Sequence, residues 1–166
     1  HVTIKNVTIN ETHDYYAMWI TAEGQNINID GLTINSDGRG IKIDEQYVDA
    51  PAVVNMMVKN STFTTAKKAA ILVKTVAGAN ITLEDVNIAG VAADKDFAVW
   101  VDEDAAAYAD KVVVNGGLCK VEGAKIAAAD TDTELREALK NGNDVILTDD
   151  ITTTDAESNG NGATGI

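Results

Sequence analysis

The stretch "VTIKNVTI" (Val2–Ile9) sets two alternating apolar runs on either side of a polar pair. The arrangement returns as "INIDGLTI" (Ile27–Ile34), "MMVKNSTF" (Met56–Phe63), "ITLEDVNI" (Ile81–Ile88) and "VVVNGGLC" (Val112–Cys119). The second residue of each polar pair is Asn6, Gly31, Asn60, Asp85 or Gly116, at spacings of 25, 29, 25 and 31 residues. A second set of short runs lies between them: "AMWIT" (Ala17–Thr21), "GIKID" (Gly40–Asp44), "AILVK" (Ala70–Lys74) and "AVWVD" (Ala98–Asp102). Alternation with a period of two places successive side chains on opposite faces, which is the pattern of a strand and not of a helix. A unit of such strands recurring in register cannot bury its apolar face alone, so stacked copies are required. The sequence therefore predicts an all-β solenoid of about four to five coils, each with three short strands, two of them joined by a tight corner.

The corner column carries its own physical signature. Asn, Gly and Asp are the residues that tolerate a left-handed backbone, and only they occupy Asn6, Gly31, Asn60, Asp85 and Gly116. Stacked asparagines could also hydrogen-bond along the column, with glycine and aspartate interrupting the ladder.

Over residues 1–123 the chain resembles the right-handed parallel β-helix of the pectate-lyase-like superfamily, with its short strands, Asn-rich corner and variable loops. The resemblance is specific for fold. It implies little about activity, because that superfamily includes lyases, hydrolases, adhesins and phage tail proteins.

Bulk properties narrow the partners. The chain has 166 residues, 45% of them hydrophobic and only 5% aromatic, which suits one domain, or one domain plus a fragment of another. A formal charge of −13 repels phosphate backbones and anionic lipid, so neither nucleic acid nor a membrane surface is an expected partner. No run approaches the roughly 18 apolar residues of a membrane-spanning helix. Cys119 is the only cysteine, which rules out an internal disulfide. Opening directly on strand-like "HVTIKNVTIN" suggests a processed product or an excerpt from something longer.

The rhythm changes after Gly123. Residues 124–166 read as a linker, a helix at about 131–141 and the start of another strand at Val145–Leu147. Thr131 and Glu134 make a capping box, Leu135, Ala138 and Leu139 an apolar stripe, and Asn141-Gly142 a stop. This order resembles the cap helix and first strand that open many bacterial and phage β-helix domains. The segment is expected to begin a further β-helix or, with the tail "TDAESNGNGATGI", to cap this chain or a neighbour.

Candidate sites follow from the register. With Met18/Ile20, Ile41/Ile43, Ile71/Val73 and Val99/Val101 facing the core, one outward column is Trp19, Lys42, Leu72, Trp100, and the next is Thr21, Asp44, Lys74, Asp102. The second column reads as charge alternation, with Lys74 between Asp44 and Asp102. In the first, two tryptophans and a leucine could stack on sugar rings or anchor a protein partner, with Arg39 and Lys42 beside them. Alternatively the connections Glu45–Asn55 and Glu103–Lys111 fold over this face and bury it.

No cofactor is expected, and calcium would need several converging oxygens. Asp102–Asp104 could supply some, although a strand sends neighbouring side chains to opposite faces. Pectin hydrolases of this fold carry Asn-Thr-Asp, Gly-Asp-Asp, Gly-His-Gly and Arg-Ile-Lys motifs. Here only Arg39 and Lys42 remain, with two residues between them instead of one. Asp44 and Glu45 should point apart, which leaves no carboxylate pair for acid–base chemistry. His13 is expected in solvent, and His1 lies in no nucleophile or metal-ligand motif. Cys119 is expected to be an inert core thiol aligned with Ile9, Ile34, Phe63 and Ile88. The Asn-x-Thr sequons at Asn6, Asn10, Asn60 and Asn80 are by-products of the repeat.

The expected function is a non-catalytic structural or adhesive module of a larger bacterial surface or phage fibre or capsid-associated protein, located outside the cell. Its expected partners are copies of itself or adjacent β-helix domains, with surface polysaccharide a further candidate. The alternative is a carbohydrate-binding or polysaccharide-degrading β-helix that uses the Trp19/Trp100 face.

Overall fold

A computed structural model describes residues 1–67, 69–90, 97–123, 126–141, 144–147 and 149–152. The chain divides into two compact units, His1–Gly123 and Ala124–Ile166.

The first unit is a parallel β-solenoid of about four turns. One sheet stacks the long strands β1 (Val2–Glu11), β3 (Asn26–Ser36), β5 (Val54–Thr65), β7 (Ala79–Ala89) and the short β9 (Val112–Asn115). The other stacks β2 (Tyr16–Thr21), β4 (Arg39–Asp44), β6 (Ile71–Lys74), β8 (Val99–Val101) and β10 (Cys119–Val121). Every neighbouring pair is parallel.

The two strands expected on either side of the corner run together as one bent strand. Pairing continues across the bend, with Lys5 opposite Asp30 just before it and Val7 opposite Leu32 just after. A single left-handed residue suffices to turn the chain. Asn6, Asn60 and Asp85 have φ of 53°, 49° and 52°, and Gly31 has 74°. Leu32 follows such a corner, and its N–H is received by the hydroxyl of Ser61, one coil along, at 3.1 Å. The same hydroxyl donates to the Lys59 carbonyl at 2.7 Å, which explains a buried serine between Leu32 and Val86.

Side-chain amide hydrogen bonds between coils start from the corner residue Asn60 and from positions four or five residues away from a corner, and among the described residues none joins one corner residue to the next. Asn60 donates to Asp30, Asn35 to Asn10 and Asn80 to Asn55, at 2.8–2.9 Å.

The fifth run departs from its expected alignment. Thr82 lies opposite Asn115, so Gly116 falls opposite Leu83, two residues short of the Asp85 corner. Gly116 does have a positive φ of 80°, and a Cβ there would lie 2.1 Å from the Leu83 carbonyl oxygen. The chain turns early and passes straight to the second sheet. Cys119 consequently stands opposite Val99, in the Met18–Ile41–Ile71–Val99 column, and not beyond Ile88. It packs against the core from a partly buried position, where burial raises its pKa above the ordinary 9.0.

The interior is the stack of inward residues, with Ile29, Leu32, Ile34, Ile41, Ile43 and Phe63 among those fully or almost fully buried. Each such side chain contributes roughly 1.5–3 kcal/mol through burial.

The second unit pairs β11 (Ile126–Ala129) in parallel with β12 (Asp144–Leu147), and α1 (Asp132–Lys140) connects and packs on them. Thr131 is the N-cap, its hydroxyl accepting the Glu134 N–H at 3.4 Å, and Glu134 accepts the Asp130 N–H at 3.1 Å. Ile126–Ala129, expected within a linker, forms a strand instead, because β12 supplies a parallel partner that local composition does not reveal. Gly142 of the helix stop and residues 153–166 of the tail lie outside the described residues.

Candidate functional site

The outward column of the second sheet reads Trp19, Lys42, Leu72, Trp100 and then Lys120. Lys120 was not visible from the sequence, because β10 was hidden in a run assigned to the first sheet. Lys42 stands over the Trp19 ring, its Nζ 3.9 Å from the centroid, and Lys120 stands 4.3 Å from the Trp100 centroid. Each tryptophan is thus followed, one rung on, by a lysine that uses the negative face of the indole.

The column is not an open platform. Leu72 and Trp100 are buried and cluster with Ala69, with Tyr16 packed against them. Tyr47, in the connection expected to cover this face, is itself exposed. Trp19 keeps 37% of its surface, while Lys42 keeps 7%.

A lysine this buried needs a counter-charge, and Asp44, two residues along the same strand and 3% exposed, supplies it through a close ion pair. Asp44 also accepts the Gln46 N–H at 2.9 Å. The adjacent carboxylate, Glu45, accepts from the Thr75 hydroxyl at 2.9 Å and the Val76 N–H at 2.8 Å. Lys74, expected between Asp44 and Asp102, binds Asp104 at 2.5 Å and Asp102 at 3.8 Å. Its pKa rises above 10.5, mainly because of the hydrogen bond to Asp104.

Asp44, Glu45, Lys74 and Asp104 line a depression of about 160 Å³. Each of these carboxylates is engaged by a neighbouring cation, hydroxyl or backbone N–H. Among the described residues no group of three or more His, Cys, Asp and Glu side chains is placed to hold a metal ion.

The exposed end of the column belongs to a cluster that the sequence reading missed. Tyr15, Tyr16 and Trp19 lie with ring centroids 5.7–6.3 Å apart. Tyr15 and Trp19 are exposed and Tyr16 is half-buried. Arg39 stands 5.3 Å over Tyr16 and reaches Asp14 at 3.2 Å, while Lys67 closes on the other oxygen of Asp14. The hydrogen bond from Lys67 holds the Asp14 carboxyl below its usual 3.8, with the charges of Lys67 and Arg39 adding to the effect. The only signal in the sequence is the aromatic pair in "DYYAMWI", and nothing local ties Lys67 to it.

His13 is exposed beside Glu11, with its Nδ1 at 3.0 Å from Oε1. No protein-family model, curated protein or solved structure matches the chain.

Proposed function

We propose that this chain is a non-catalytic structural or adhesive module, built as a right-handed β-helix of the pectate-lyase-like kind. It belongs to a bacterial surface protein or a phage fibre or capsid-associated protein, working outside the cell. The observation that carries this reading is the engagement of Asp44 and Glu45. One is neutralised by Lys42 and the other is held by Thr75 and Val76, so neither is poised as a free acid or base. Columns of side chains repeated at the rung spacing suit display, and a stiff rod suits a spacer. Incubation with pectate, alginate and bacterial capsular polysaccharides should release neither reducing ends nor unsaturated uronates. Turnover on any of them would sink this reading.

A second reading, carbohydrate binding, is favoured by the exposed Tyr15–Trp19 cluster. The two exposed rings, with the Arg39 guanidinium over the adjoining Tyr16, offer apolar surface and a hydrogen-bond donor to a sugar. Trp100, being buried, takes no part. A glycan array probed with the protein and with Tyr15→Ala tests it, and signal indifferent to Tyr15 and Trp19 would count against the cluster.

A further inference from the structure

Among the described residues every left-handed position holds Asn, Asp or Gly, with one exception. Tyr47 has a φ of 71° at the third residue of a turn, which Val48 closes by donating its N–H to the Glu45 carbonyl at 2.9 Å. Such a position favours Gly or Asn and is an outlier for a bulky side chain. Little within the chain offsets the strain. The side chain keeps 89% of its surface, and among the described residues it meets no other ring, cation or hydrogen-bonding group. Strained residues of this kind concentrate where a protein contacts another molecule.

The turn lies between the second and third coils and is held from both sides. The Gln46 N–H donates to Asp44, which Lys42 neutralises, and the Glu45 carboxylate reaches the next coil at Thr75 and Val76. Further along the connection, Ala52 bridges to Glu23 and donates its N–H to the Ala22 carbonyl at 2.8 Å. The backbone under Tyr47 is therefore fixed in advance, and only side-chain torsions are left to order on binding.

We propose that Tyr47 anchors a docking site for a basic protein surface, its ring taking an arginine of the partner. The inference rests on the adhesive reading above and names the class of partner. Charge selects it. The depression beside the turn is lined by Asp44, Glu45 and Asp104, with Lys74 the one cation among its lining residues. Asp49, two residues beyond Tyr47, and Glu23, bridged to Ala52, have no ion pair among the described residues. At a chain charge of −13 a second copy or an anionic lipid is repelled, whereas a cationic surface is drawn in. A guanidinium is attracted to the negative face of a tyrosine ring, and tyrosine and arginine are both enriched among the residues that dominate interfaces.

Fluorophore-labelled nona-arginine is the probe, read by anisotropy against the full chain. Tyr47→Gly should weaken its binding by about threefold to fivefold, the range of an exposed cation–π contact. Tyr47→Phe should keep it. The Tyr47→Gly protein should also unfold at the wild-type urea concentration or above it, because Gly accepts a φ of 71° without strain. Tyr108→Ala is the control: Lys111 already stands 4.9 Å over that ring, so its removal should leave the affinity unchanged. A wild type that ignores the peptide, binding undiminished in Tyr47→Gly, an equal loss in Tyr108→Ala, or a Tyr47→Gly protein less stable than the wild type overturns the site. None of these outcomes touches the non-catalytic reading, which the polysaccharide assay decides separately.

Discussion

The ammonium of Lys42 lies 3.9 Å from the centre of the Trp19 ring and is paired with the carboxylate of Asp44 on its own strand. One rung thus stitches the first coil to the second through the indole and neutralises itself through the carboxylate. Both charges are almost fully buried, so the pair matters for what would happen if it were broken.

Lys42→Met leaves Asp44 charged, buried and without its cation. A loss of about 3–5 kcal/mol in urea unfolding is expected. Replacing both residues, Lys42→Met with Asp44→Leu, should recover most of it, since an apolar pair of similar volume removes the desolvation cost. A double variant no more stable than the single one would refute this account.

At the corners, backbone conformation decides. Asn60→Gly should be nearly neutral, because relief of the left-handed strain at φ 49° offsets the lost bond to Asp30. Asn60→Val should cost about 2 kcal/mol or more, since the β-branched side chain resists that conformation and the bond is lost as well. Gly116→Ala should also destabilise, as its Cβ would stand 2.1 Å from the Leu83 oxygen. Urea midpoints of the three variants provide the ranking.

Acid and alkali act on different pairs. The Asp14 carboxyl is held below 3.8 by Lys67, so its contribution is present above that value and lost as pH falls through the folded pKa. Lys74 is held above 10.5 by Asp104, so its contribution is present below that value and lost as pH rises through the folded pKa. Thermal midpoints against pH should therefore lose most of their acid-side dependence on Asp14 in Lys67→Met, with Arg39 keeping the remainder. The alkaline-side dependence on Lys74 should shrink in Asp104→Asn, with Asp102 keeping the remainder. Unchanged profiles in both variants would show that neither pair contributes.

Burial keeps the Cys119 thiol protonated beyond its ordinary 9.0. At mildly alkaline pH it should react with a thiol reagent about tenfold slower than in the urea-unfolded chain, because the thiolate is the nucleophile. Equal rates would place the sulfur in solvent.

Much of the fold was legible because it is written locally. Period-two alternation fixes which residues of each strand face inward, and Asn6, Gly31, Asn60 and Asp85 mark corners because few side chains accept a left-handed backbone. The Thr131–Glu134 cap identified the helix on the same local grounds. The candidate site was half legible: Trp19, Lys42, Leu72 and Trp100 fell in one column, yet their burial and partners did not follow.

By itself, then, the sequence determined a parallel solenoid with its coil length, its corners and its inward residues. Those properties depend on each residue's own backbone preference and on alternation between near neighbours. Only the tertiary structure decided that Gly116 turns early against Leu83, that Cys119 and Lys120 join the second sheet, and that Lys42 belongs to Trp19 and Asp44 together. It alone brought Lys67 to Asp14, 53 residues away. Those outcomes depend on what the next coil offers across a rung, a contact between distant residues that no local pattern encodes.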